Sequence, residues 1–341
     1  MSDPQTPLVQ PAVPPSPVFE PPPPPPTPEV IPARRPTRLI PVAITLFVLG
    51  LLVLVAGILR FVAGGIGTGA ALAVVGLALF GLSFVTLPQP SDEAPMSPVQ
   101  KLTGIFFEPT RVFRNLRSHP HWLAAFIVVA ILTVIYQQAF VQRITPEVIV
   151  DHYISKMAEM GFATPEVLSD ARAQQMDQLK NPVQRVGNVV KAFCFIFLFG
   201  GVLAAISLVL VLVFGGRIHF WQALAVYFYS ILPVQVIQKV LSLVILYIKD
   251  PSDLHPVLNQ DNLVQDNLGV LFTPASTPVL FVIASFIGVL SFYGLWLRAK
   301  GLQQGGIRVS SGAAWGVAIT FWLASMLFFS IISALFPSFI S

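Results

Sequence analysis

The sequence predicts an all-α integral membrane protein of about seven transmembrane helices, a two-helix N-terminal hairpin followed by a five-span domain. Three observations predict it. Hydrophobic residues make up 55% of the 341 residues and charged ones only 11%, too little charge to cover a soluble globule. Several uncharged runs are each long enough to cross the roughly 30 Å hydrocarbon core at 1.5 Å rise per residue. From Ile105 to Gln142 a basic amphipathic helix stands directly against one such run, so that an anchor and a sidedness label are adjacent. The net charge of +4 is small for this length, and the basic residues read as topology signals, not as a nucleic-acid footprint. The single cysteine, Cys194, excludes intrachain disulfides and cysteine-based zinc sites. The polar, Pro-rich start does not have the form of a cleavable signal peptide.

Residues 1–38 form a Pro-rich tail with an unbroken run from Pro21 to Pro26, expected to be semi-extended or disordered and cytoplasmic. It reads either as a docking peptide for a Pro-recognising partner or as a spacer. Arg34, Arg35 and Arg38 close it. Residues 39–87 hold two uncharged runs separated by Arg60 and the Gly64-Gly65-Ile66-Gly67 break. Gly69, Ala73, Gly76 and Gly81 favour close helix packing there. A linker and interfacial helix occupy 88–121. Pro109 suits a first helical turn, after which Val112, Phe113 and Leu116 share one face and Arg111, Arg114 and Arg117 the other. Such a helix is expected to lie in the headgroup region against anionic lipid, with Trp122 as its interfacial aromatic.

The five-span domain covers 122–336. Its first span runs from Leu123 to Val141. The polar stretch 144–187 follows, in which Thr145-Pro146-Glu147-Val148 recurs as Thr164-Pro165-Glu166-Val167. Each copy reads as a capped helix start, the first helix reaching Met160 and the second Lys180. In the first, Ile149, Tyr153 and Met157 share a face that packs on the membrane domain or on the bilayer. Lys191 to Phe214 is the next span. Trp221 to Ile248 follows, the only span with a polar interior: Pro233, Gln235, Gln238, Lys239 and Ser242. An acidic loop, 249–277, precedes spans from Pro278 to Leu297 and from Gly312 to Phe336, with Arg298, Lys300 and Arg308 around the turn between them. A cytoplasmic N-terminus puts most Lys and Arg of the short loops inside, which places the C-terminus outside.

From Ile105 onward the chain resembles the Yip family of Ypt/Rab-interacting membrane proteins, in its bacterial branch. Phe106, Pro109 and Phe113 carry the entry, and Pro120 and Trp122 the approach to the first span. Phe220 to Val226 with Tyr229, Ser230 and Pro233 carry the centre, and Gly294-Leu295-Trp296 the closing pair. The resemblance implies a five-span helical domain with a cytoplasmic N-terminal region, no enzymatic activity and a bacterial plasma membrane. The Asp-Leu-Tyr-Gly-Pro signature of the Rab-binding eukaryotic relatives is absent.

Lys239 is the one charge well inside an expected span, and such a charge costs about 2.5 to 3.5 kcal/mol on insertion scales. Either Gln235, Lys239 and Ser242 line a polar cavity that conducts or binds an ion or small solute, or Lys239 has a packing role or snorkels to the outer interface and tolerates replacement by Leu. His119 and His121 lack neighbouring Cys, Asp or Glu, so a metal is not expected, nor is any cofactor. No nucleophile with a base and no phosphate-binding loop appears. Two functions follow: a scaffold acting through helix packing, anionic lipid headgroups and a protein partner at the tail, or a small permease component. Homo-oligomerisation is compatible with both.

Overall fold

The computed structural model describes residues 35–89, 93–159 and 164–336, and every regular element in them is helical. The run Pro21 to Pro26, Arg34 and the helix stop at Met160 and Gly161 lie outside these residues. Helices α1 (Leu39–Ile58) and α2 (Gly65–Leu82) form the expected hairpin. Their backbones touch: a Cβ on Gly69 would stand 2.3 Å from the Leu54 nitrogen, and one on Gly50 2.4 Å from that of Ala73. Gly64 makes the turn at φ 71°, a left-handed conformation that glycine adopts without strain. Gly81 meets nothing and takes no part in this packing.

A helix not expected from the sequence follows, α3 (Pro98–Phe107), in which Ser97 and Gln100 form a capping box. Then come α4 (Pro109–Ser118), α5 (Leu123–Ile144), α6 (Pro146–Glu159) and α7 (Pro165–Lys180). The two Thr-Pro-Glu-Val copies differ in backbone. Thr164 is extended and its hydroxyl accepts from Val167 N at 3.4 Å, whereas Thr145 sits at φ 75°. The repeated capping expected of them is therefore found once in that form. Helix α8 (Pro182–Val213) has 32 residues, about 48 Å at 1.5 Å each, and begins outside the expected span with Asn181 as its cap.

Helix α9 (Phe220–Ile248) is the axis of the domain. Its N-terminal half is buried on nearly every side, from Trp221 to Pro233, with α5, α8 and α11 packed around it. The expected sixth span is broken: α10 (Pro278–Ser285) stops, and α11 (Val289–Gly305) restarts and runs eight residues past the expected end at Leu297. Arg298, expected at a helix end, is thus two turns inside α11. Helix α12 (Ser311–Leu335) closes the chain. Among the described residues six helices (α1, α2, α5, α8, α9, α12) are long and apolar enough to cross a membrane alone. The broken pair α10–α11 supplies the seventh crossing segment, so the all-helical polytopic architecture stands.

Candidate functional site

At one end of the bundle, α3 and α4 form a plate over α9 and α11. The apolar face of α4 is seated on protein instead of lipid. Val112, Phe113 and Leu116 are fully buried, and a Cβ on Gly301 of α11 would stand 3.0 Å from the Phe113 ring. Buried polar side chains lock this plate. Lys101 donates to the His119 carbonyl at 3.0 Å, and Asn115 donates to Ala94 O at 3.0 Å while accepting from Met96 N at 3.2 Å. Gln222, at the start of α9, donates to Arg117 O at 2.6 Å and accepts from His219 N at 2.9 Å. Burial lowers the Lys101 pKa from 10.5 to about 8, against the pull of Glu93, and burial with the Lys101 charge lowers that of His121.

The three arginines remain on the exposed face of the plate. Arg111 pairs with Glu108 at 3.0 Å, and Arg117 donates to Ile307 O at 2.8 Å. Beside them a polar pocket of about 480 Å³ is lined by Arg117, Arg308, Gln303 and Ser310. The turn that frames it is tied by Arg217 N to Arg308 O at 2.9 Å and Ile307 N to Arg217 O at 2.8 Å. Trp122, expected as an interfacial aromatic, is half-buried and packs inward, its ring centroid 5.4 Å from that of Phe197 and 5.8 Å from that of Phe126.

The polar stripe of α9 divides. Lys239 is only 5% exposed and its Nζ donates to Asp261 O, 5.0 Å above the Tyr136 ring. Ser242 donates to Asn262 Oδ1 at 2.7 Å and accepts from Leu263 N at 3.0 Å, and Tyr136 donates to Asn259 O at 2.6 Å. The acidic loop therefore dips into the bundle as a plug, held beneath by Leu246, Leu254 and Leu263 with Ile149 of α6. Irregular backbone at membrane depth is tolerated where protein covers it and side chains satisfy it. Of the alternatives open for Lys239, this buried bond fits packing within the protein and not snorkelling to water. The plug also explains the broken span: Asp266 accepts from Leu290 N at 2.7 Å and from Val289 N at 3.4 Å, while Leu268 N donates to Ile287 O at 2.9 Å.

Gln235, one turn before Lys239 on α9, instead lines a cavity shared with α11 and α12, and Pro233 is buried in the helix core. Gln238 is half-buried and makes no side-chain hydrogen bond among the described residues. Sequence reasoning read Lys101 and Arg298 only as loop charges and Gln222 only as part of the Phe220 to Val226 motif, and it passed over Asn115. Only the Ser97-Pro98-Val99-Gln100 capping pattern, which announces the helix carrying Lys101, was there to find. Residues 103–332, about two thirds of the chain, match the family model of the Yip1 domain. No curated protein and no solved structure matches the chain.

Proposed function

The chain belongs to the Yip1 domain family and is a multi-pass membrane protein, and from that premise we propose that it is a non-enzymatic organiser of the membrane. Its α3–α4 plate holds anionic lipid headgroups at one face of the bilayer, and residues 1–38 present a Pro-rich segment to a protein partner on that same side. The observation that carries this reading is the plate itself. Buried hydrogen bonds through Lys101, Asn115 and Gln222 fix it to the bundle end, so Arg111 and Arg114 are displayed from a rigid support beside the Arg117–Arg308 pocket. Each such cation is worth about 1 kcal/mol against an anionic surface, roughly fivefold in affinity. The concentration of Lys and Arg in the loops at this end supports a cytoplasmic plate and N-terminus, in a bacterial plasma membrane.

A conduit along the α9 stripe has less support, because Lys239 and Ser242 spend their hydrogen bonds on the plug. The test is lipid retention. Full-length protein extracted from nanodiscs of mixed phosphatidylglycerol and phosphatidylcholine is scored by native mass spectrometry for the lipid it keeps. The double variant Arg111→Glu with Arg114→Glu is expected to lose phosphatidylglycerol by about tenfold or more, two charges at roughly fivefold each. Unchanged enrichment in that variant sinks the lipid half of the proposal.

A further inference from the structure

Between α9, α11 and α12 lies a cavity of about 230 Å³ whose chemistry the organiser reading does not use. Helix α11 is its floor, and α9 and α12 are its walls. Arg298 projects into it with its guanidinium carbon 3.8 Å over the Phe321 ring and 5.6 Å from that of Tyr227. Its Nη2 and the indole Nε1 of Trp322 are both buried without a hydrogen-bond partner among the described residues. Gln235 adds a carboxamide that also makes no hydrogen bond there, and no Asp or Glu lines the cavity. Arg298 is seven residues from the end of α11 and Trp322 eleven from the start of α12, about 10 and 16 Å inside the bundle. An intramembrane cation normally pairs with an acid or a carbonyl. Here a planar fork of donors and an indole N–H belong to residues that line one cavity, and the group they lack is an acceptor, best an anionic one.

We propose that this cavity binds the acidic group of a membrane amphiphile, its phosphate or carboxylate on Arg298 and Trp322 and its apolar chain between α9 and α12. The volume equals the share of about seven or eight liquid waters, room for a headgroup and the start of a chain. Apart from Ser230, Ser291 and Ser325, of which the first and last donate to backbone carbonyls of their own helices, the rest of the lining is apolar or aromatic, as a chain requires. The occupant comes from the bilayer because the donors stand at membrane depth. This is one stoichiometric site, distinct from the diffuse attraction of Arg111 and Arg114.

The experiment is photolabelling of the purified full-length protein with phosphatidic acid and with phosphatidylcholine, each carrying a diazirine near the headgroup. Phosphatidic acid is expected to label peptides of α9, α11 and α12 at saturable stoichiometry, and phosphatidylcholine is not. Arg298→Gln is expected to reduce that label about tenfold. Gly294→Leu offers a second route that leaves the cation in place. A Cβ there would sit 3.5 Å from Val234, an ordinary contact, so the longer side chain fills the cleft without disturbing the backbone. It too is expected to abolish the label, whereas Arg111→Glu with Arg114→Glu is expected to keep it. Equal labelling by both lipids, label confined to other helices, or label retained in Gly294→Leu overturns the proposal. Full protection by free inorganic phosphate also overturns it, since the site would then take a soluble anion.

Discussion

Lys239 shows how one buried contact chooses between alternatives that the sequence left open. An amine that snorkels to water is replaceable by Leu, and the apolar side chain even suits the bilayer better. Here the amine is nearly sealed and its proton donation holds Asp261 O, one of several bonds that seat the loop on α9. Lys239→Leu leaves that carbonyl buried without a donor, at a cost of about 1 to 3 kcal/mol. The variant is expected to melt below the wild type and to be cut faster by protease between His255 and Leu263. Equal melting temperatures and cleavage rates would mean that Ser242 and Tyr136 suffice to hold the plug.

Among the elements, the α3–α4 plate has a consequence for pH. The Lys101 pKa is about 8 in the folded protein against an ordinary 10.5. Between those values the unfolded chain holds more protons than the folded one, so stability rises with pH across that window. Below pH 8 the amine is charged in both states and the penalty of burying it is present in full. The melting temperature of the wild type relative to Lys101→Met is therefore expected to climb from pH 8 to pH 10. A flat difference over that range would show that Lys101 reaches water. The break between α10 and α11 is likewise an affair of elements, made by Asp266 from more than twenty residues away. Nothing within Pro278 to Leu297 announces it, because the partner of the interrupted backbone lies in another segment.

For the whole molecule, the packing restricts topology before any orientation is assumed. Ile149 of α6 shares a buried cluster with Leu254 and Leu263, so Ser155 and Ser252 lie at the same end, and Ser310 lies with Arg308 at the other. Single cysteines at these exposed positions, in a Cys194→Ser background, are expected to label together at 155 and 252 from outside the cell and to be protected at 310. Protection at 155 with labelling at 310 reverses the proposed orientation. Split behaviour between 155 and 252 contradicts the packing itself.

The helical, polytopic character followed from the sequence alone, because uncharged runs of bilayer length can satisfy their backbone in lipid only as helices. The same holds for the α1–α2 hairpin with its Gly64 turn, and for the amphipathic α4, whose apolar and basic faces are set by local period. What those faces and polar residues meet was decided by tertiary structure. Val112, Phe113 and Leu116 found Gly301 and α9 instead of lipid, and Lys239 found a carbonyl 22 residues away. Arg298 came to rest inside a cavity because α11 outran its expected end. Periodicity encodes which side of a helix is apolar. Whether lipid, protein or a ligand covers that side depends on contacts between segments far apart in the chain, and those form only when the bundle closes.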